Sequence, residues 1–200
     1  IWIPDAEEMA ALVRRTHEAG GLFVADEVPA GYGRLGEHLW SFAQHGLPPD
    51  VVKLGKPMGN GYPVAAVVTR AEILDRFPFA GTVFSTFGGN PVAAVAALAV
   101  LDVIEDERLV ERAKSVGTRL VAELRAAGRP EIVDVRGSGL MIGVELAEPE
   151  LAEQAVERLR GAGILIGRTG RRDTVLKIRP PLVFADEHAD LLVAALDRAV

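Results

Sequence analysis

The stretch GLFVADEVPAGYGRLG, residues 21–36, decides how this chain folds. Leu22-Phe23-Val24-Ala25 is a short, continuous apolar run, the pattern of a buried parallel strand. It ends in Asp26-Glu27, so two acids stand at the C-terminal end of a strand, the edge at which open α/β sheets bind ligands. A glycine-rich loop, Gly31 to Gly36, follows. Upstream, Met9, Leu12, Val13 and Thr16 recur at helical spacing after Pro4-Asp5, and Gly20-Gly21 stops that helix. Helix, strand and glycine loop in succession predict an α/β architecture.

The alternation continues outward. Asp50 to Leu54 reads as a second strand, running into the turn-rich Gly55-Lys56-Pro57-Met58-Gly59-Asn60-Gly61. Val64 to Thr69 reads as a third strand. Phe84 to Asn90 is a polar, glycine-containing loop. Pro91 opens an Ala/Val/Leu-rich helix, where its missing N–H costs nothing. The apolar run Val92 to Val103 is too short to span a bilayer and reads as a core helix. The character changes after about residue 104. Glu105 to Ala127 is a more charged helical stretch. Ile132 to Val135 and Leu140 to Leu146 read as strands around Gly137 and Gly139, predicting a hairpin or bulge. Pro149 to Leu159 is helical, and Ile164 to Gly167 and Val175 to Ile178 are extended. Asp186 is placed to cap a last helix with Leu191, Leu192, Ala195 and Leu196 on one face. Two pieces are predicted: an α/β part over 1–104 and a smaller α+β part over 105–200.

Composition narrows the functions open to these pieces. The 200 residues carry a formal net charge of −6, with about half of them hydrophobic. No basic stripe marks a nucleic-acid partner, and no run marks a membrane partner. Cysteine is absent, which removes disulfides and thiolate metal sites. The histidines His17, His38, His45 and His188 lack ligand spacing, so no metal is expected. No secretion signal is visible, so a cytoplasmic location is expected. The chain opens on Ile1 without an initiator Met, which leaves room for an upstream segment. Eighteen arginines contrast with four lysines, Lys53, Lys56, Lys114 and Lys177. Any lysine chemistry must choose among these four.

Three loops next to strands or helices hold Asp26, Lys56 and Ser85-Thr86. Taken singly, each has a plain reading: a solvated strand end, an exposed turn lysine and ordinary turn chemistry. Lys56 is not a phosphate-loop lysine, because Gly-Lys-Pro lacks the preceding glycine spacing and the following Ser or Thr. Together they supply the three group types that a pyridoxal 5'-phosphate enzyme needs. These are a lysine for covalent attachment and proton transfer, a carboxylate for the pyridine nitrogen, and donors for the phosphate.

The motifs themselves carry a resemblance. Val24-Ala25-Asp26-Glu27-Val28 with Gly31-Tyr32-Gly33-Arg34-Leu35-Gly36 resembles the DEV…GFGRxG signature of the class III aminotransferases. Pro49-Asp50-Val51-Val52-Lys53-Leu54-Gly55-Lys56 resembles that family's PDIxxxGK segment, and Ser85-Thr86-Phe87-Gly88-Gly89-Asn90-Pro91 its TFGGNP loop. Val135 to Gly143 resembles its VRGxGLMIG hairpin and Pro180-Pro181-Leu182 its late PPL. The order is right, and the likeness covers essentially the whole chain as the family's C-terminal half. It implies fold type I, with part of the large-domain sheet followed by a small C-terminal α+β domain. It implies pyridoxal 5'-phosphate as cofactor and a homodimer. It further implies that Asp26 pairs with the pyridinium nitrogen, Val28 packs on the ring, Lys56 is the Schiff-base lysine, and Thr86 reaches the phosphate of the neighbouring subunit's cofactor. The implied reaction moves an amino group from an amine or amino acid to a keto acid or aldehyde.

Three departures qualify what the resemblance implies. Family members commonly place Gln after DEV, bonding the cofactor's phenolic oxygen; this chain has Pro29, without a side-chain hydrogen bond. Many members carry Arg three residues before the PP pair, forking a substrate carboxylate. This chain has Lys177 there, a point charge rather than a fork, so either a changed substrate anion or a strand-edge surface residue is read. The runs Gly55 to Pro63 and Val175 to Pro181 look most like the subgroup of ethanolamine-phosphate phospho-lyases and alanine–glyoxylate-type aminotransferases. Elimination of phosphate from a phosphorylated amine is therefore the alternative reaction, and a noncatalytic remnant of the fold the third reading. The family's N-terminal half, with its Gly-Ser phosphate turn and aromatic stacking, does not precede Ile1. The isolated chain is therefore expected to bind cofactor weakly or not at all.

Overall fold

A computed structural model describes residue 1, residues 3–76 and residues 84–200. The chain divides into two compact units, one made of Pro4–Gly33 and His38–Arg108, the other of Ile1–Ile3, Arg34–Glu37 and Leu109–Val200.

In the first unit, helix α1 spans Ala6–Glu18. Its N-cap Asp5 accepts from the backbone N–H of Glu7 and Glu8, satisfying donors that the first turn leaves free. Strand β1 is Val24–Asp26, followed at once by the single-turn helix α2, Glu27–Ala30. Strand β2, Val51–Leu54, pairs parallel with β1, and β3, Ala66–Thr69, pairs antiparallel with β2. A short helix α3, Ala71–Leu74, precedes the undescribed residues, and helix α4 runs Pro91–Asp106.

The β1–β2 pairing is parallel as the apolar run predicts, but β1 is not buried on both faces. Ala25 is buried, whereas Val24 is 53% exposed, and Val67 of β3 on the same face is 66% exposed. The expected core helix differs in the same way. Within α4 only Ala93 and Ile104 are buried, and Val92, Val95 and Leu98 are each about 60% exposed. A helix apolar all round needs cover on all sides to act as core; the described residues cover one side.

The two acids at the end of β1 separate in role. Glu27 is fully buried; its carboxylate accepts from Ser41 N (2.8 Å), Ser41 Oγ (2.7 Å) and Phe42 N (3.0 Å). It thereby caps the 3-10 turn Ser41–His45 and holds that loop to the strand end. Asp26 is left to face solvent.

Asp50, just before β2, is a second buried acid, 5% exposed. It accepts from Phe23 N (2.8 Å), His17 Nε2 (2.8 Å) and Arg70 (2.7 Å), tying α1, the start of β1 and the end of β3 together. The Phe23 N–H, and then the His17 contact, hold its carboxyl below the usual carboxylate range. Its folded value is therefore below its unfolded value. The stabilisation is present above the ordinary aspartate range and is lost as pH falls through the depressed value. Asp50→Ala should cost about 2 kcal/mol at neutral pH, since it leaves the Phe23 N–H unpaired. Urea unfolding of wild type and variant from neutral to acid pH checks this: the two curves should converge on acidification.

The second unit begins with helix α5, Leu109–Ala126. The sequence predicts one helical stretch from Glu105, but α4 ends at Asp106 and Arg108 takes a left-handed φ of 51°, which breaks the helix before α5. Strands β4, Ile132–Ser138, and β5, Met141–Leu146, form an antiparallel hairpin with an irregularity between Ile132 and Asp134. Helix α6 is Pro149–Gly161, β6 is Gly167–Thr169, β7 is Val175–Ile178 and α7 is Asp186–Ala199. The sheet order is β4-β5-β7-β6, antiparallel throughout. The extended segment read at Ile164–Gly167 starts its pairing only at Gly167. Asp186 is the first helical residue of α7 rather than its cap; the Ala185 N–H instead reaches His188 Nδ1 at 3.1 Å. Of the four residues expected on one face of α7, Leu192, Ala195 and Leu196 are buried and Leu191 is exposed.

The core of this unit is one cluster. Leu120 and Leu124 of α5, Ile142 and Val144 of β5, Leu159 of α6, Leu176 of β7 and Leu196 of α7 pack together. Each buried aliphatic side chain contributes about 1.5–3 kcal/mol relative to exposure. Alternation in the strands and three-to-four spacing in the helices put these residues on one side of the sheet.

Candidate functional site

Strand register builds the site in the first unit. In the parallel β1–β2 pair Asp26 lies opposite Lys53, and successive side chains alternate faces. Asp26 and Lys53 therefore share a face, and Lys53 Nζ meets Asp26 Oδ2 at 2.8 Å. The other carboxylate oxygen, Oδ1, accepts from Val28 N at 3.2 Å, so Asp26 is also the N-cap of α2. The Lys53 hydrogen bond first, then the Val28 N–H and the charges of Lys53 and Lys56, hold the Asp26 carboxyl below the usual aspartate range against some desolvation. Asp26 is thus an ionised, half-exposed carboxylate with two lysines in its field.

Lys56 follows β2 at the first position of a 3-10 turn, Lys56–Gly59. Its φ is 38°, in the left-handed region that a side chain with a Cβ rarely adopts. Such strain costs about 1–2 kcal/mol and is held by the surroundings. Those surroundings are closures on both sides: Met58 N donates to Gly55 O at 3.0 Å and Asn60 N to Pro57 O at 3.1 Å. Val28 lies against the same turn, its Cγ2 3.5 Å from where a side chain on Gly55 would begin. Asp26, Val28 and Lys56 are therefore gathered at the adjoining C-terminal ends of two parallel strands.

Thr86 lies elsewhere in this unit, exposed in the loop before α4. That loop is closed by Asn90, whose Oδ1 accepts from Ala93 N at 2.9 Å and whose Nδ2 donates to Phe87 O at 2.8 Å. Among the described residues, no hydrogen bond joins Thr86 to the Asp26 group. Pro29 sits exposed within α2.

Lys177 belongs to the other unit. It is half-buried on β7, opposite Gly167 of β6, and its Nζ passes 4.0 Å from where a Gly167 side chain would begin. It lines a cavity of about 600 Å³ with Ile164, Ile166, Arg179, Phe184 and Leu192. The walls are largely apolar, and Lys177 and Arg179 supply the positive charge.

Sequence reasoning passes over Lys53, which reads as a strand residue ahead of the loop. The signal was register: only the alignment of β1 with β2 sets residue 53 beside residue 26. Among the described residues no group of acids and histidines is arranged to hold a metal ion, and no helix is long and apolar enough to cross a membrane.

The donor set suits pyridoxal 5'-phosphate in part. A strained lysine, an ionised strand-end carboxylate and an apolar Val28 are group types that an aldehyde, a ring nitrogen and a ring face would take. The class III aminotransferase family model matches residues 1–200. The chain is 44% identical to alanine–glyoxylate aminotransferase 2 homolog 2, mitochondrial, of Arabidopsis thaliana, over 94% of this chain and 41% of that protein. It is 38% identical to ethanolamine-phosphate phospho-lyase homolog 1 of Caenorhabditis elegans, over 99% of this chain and 45% of that protein. Among solved structures, an Arthrobacter phospholyase in complex with phosphoethanolamine superposes with a TM-score of 0.90 at 41% identity, covering 96% of this chain and 48% of that one. An ornithine aminotransferase from Toxoplasma gondii, described with partial occupancy of PLP at its active site, superposes with a TM-score of 0.87 at 31% identity, over 98% and 47%. The chain spans less than half the length of these relatives. By motif order, fold and match along its whole length, this chain belongs to the class III aminotransferases, a pyridoxal-phosphate family of fold type I.

Proposed function

We propose that this chain supplies the lysine and the ring-nitrogen carboxylate for class III aminotransferase chemistry, transferring an amino group from an amine or amino acid to a keto acid or aldehyde. The observation that carries the reading is the placement of Asp26 and Lys56 at adjoining parallel strand ends, with Asp26 ionised in the field of Lys56. Bound pyridoxal 5'-phosphate supplies an electron sink for a substrate carbanion. Lys56 Nζ would hold the cofactor at its aldehyde, and its free amine would serve as the base that takes a proton from the substrate carbon and returns it. Asp26 would face the ring nitrogen, where a carboxylate favours the protonated form. Val28 contributes an apolar surface to the ring. Thr86 is the hydroxyl for a phosphate, across a dimer interface.

A second reaction, elimination of phosphate from a phosphorylated amine, is favoured by the similarity to the two phospho-lyases. Lys177 offers an anion a point charge in place of the bidentate fork that an arginine gives to carboxylate or phosphate, so a changed substrate anion fits there. The polypeptide carrying both halves of the fold discriminates the two. Transamination requires an added keto acid, whereas elimination releases phosphate and ammonia without one. Lys177→Met should raise KM for an anionic substrate about tenfold or more, the worth of a hydrogen bond to a charged group, and leave cofactor attachment unchanged. An unchanged KM would return Lys177 to the strand surface.

A further inference from the structure

The Asp26–Lys53 pair has no part in the chemistry above. Two things could be asked of it: to position the carboxylate or to set its charge. Position is already provided. The Asp26 carboxylate is anchored by Val28 N at the start of α2, and the backbone of β1 is fixed by its ladder to β2. Charge is what Lys53 adds. Its ammonium is 2.8 Å from Oδ2, and the parallel register directs both side chains to one face. The groups facing Asp26 are Lys53 from β2 and Lys56 from the following turn; Glu27 is turned into the interior.

Resting on the reading of Asp26 as the ring-nitrogen carboxylate, we propose that Lys53 tunes the cofactor through Asp26: sharing this carboxylate with a second cation weakens its hold on the pyridinium proton. Two cations then compete for one anion, and they repel each other across it. In the open chain the pair is half-exposed and screened by water. A ring nitrogen held at Asp26 would exclude water there and strengthen both effects. Removing the lysine leaves the full carboxylate charge to the ring nitrogen and keeps it protonated to higher pH.

The test uses Lys53→Met, of similar length, and Lys53→Arg, which keeps the charge. In the cofactor-free chain, carbon NMR of the Asp26 carboxyl should show its titration midpoint rising in Lys53→Met and staying near wild type in Lys53→Arg. With 15N-labelled pyridoxal 5'-phosphate attached, the pH at which the ring nitrogen loses its proton should rise in Lys53→Met and hold in Lys53→Arg. An unmoved or lowered ring titration in Lys53→Met, with attachment at Lys56 intact, overturns this inference alone. An Asp26 midpoint indifferent to Lys53 does the same. Failure of the polypeptide carrying both halves of the fold to attach cofactor at Lys56 overturns the reading of the site, and this inference with it.

Discussion

Lys56→Ala should reduce turnover by the polypeptide carrying both halves of the fold by on the order of 10³-fold or more, because it removes nucleophile and proton carrier together. The fold should tolerate the change. Lys56 is exposed, and the 3-10 turn closes through the backbone of Gly55, Pro57, Met58 and Asn60 rather than through the lysine side chain. Alanine keeps the strained φ, so stability should stay near wild type. Lys56→Gly separates strain from chemistry. It should be as inactive as alanine but more stable than alanine by about 1 kcal/mol, since glycine adopts φ of 38° freely. Urea midpoints and turnover of the three proteins check both statements. The alanine substitutions at Lys53, Lys114 and Lys177 should each leave attachment in place.

Gly117→Ala should unfold the second unit, with a loss of about 3 kcal/mol or more. A Cβ on Gly117 of α5 would stand 2.0 Å from the carbonyl oxygen of Gly139, at the tip of the β4–β5 hairpin. Backbone cannot turn aside as a flexible side chain can, so the helix must leave the sheet. The hairpin cannot yield either. Gly139 has φ of 50°, and a Cβ there would meet the Arg34 carbonyl at 2.4 Å. Arg34 in turn donates to the Leu140 and Pro180 carbonyls at 3.2 and 2.7 Å. Burial first, and then the neighbouring charge of Arg179, lower its proton affinity, yet it stays a cation in the physiological range. Loss of near-native circular dichroism in Gly117→Ala, beside an unchanged Gly161→Ala, would confirm the contact; Gly161 has open space around it.

Much of this was legible in the residues, and the exceptions have physical causes. The β4–β5 hairpin was readable because the alternation of Ile142, Val144 and Leu146 and the glycines Gly137 and Gly139 answer to local geometry, and Val175–Ile178 because it is a short apolar run. The short apolar runs at Val24 and along α4 carried the signal of burial without what buries it. Periodicity reports that a run is apolar, not what packs on it, and these surfaces are exposed among the described residues. Asp26 and Lys56 could be picked out as residue types at loop positions. That Glu27 turns inward as a cap while Asp26 faces out depends on the loop at Ser41, fourteen residues away, and no periodicity reports it. Lys53 was invisible for the same reason: strand register is a property of two segments together.

The central claim is that one lysine of four is the cofactor's. Reductive trapping tests it most directly, since borohydride makes even weak attachment permanent. The intact chain is mixed with pyridoxal 5'-phosphate, reduced, digested and mapped by mass spectrometry. The account expects the cofactor mass on the peptide containing Lys56, in preference to Lys53, Lys114 and Lys177, and sharply reduced there in Asp26→Asn. Label spread evenly over the four lysines, or concentrated on any of the other three, would contradict it.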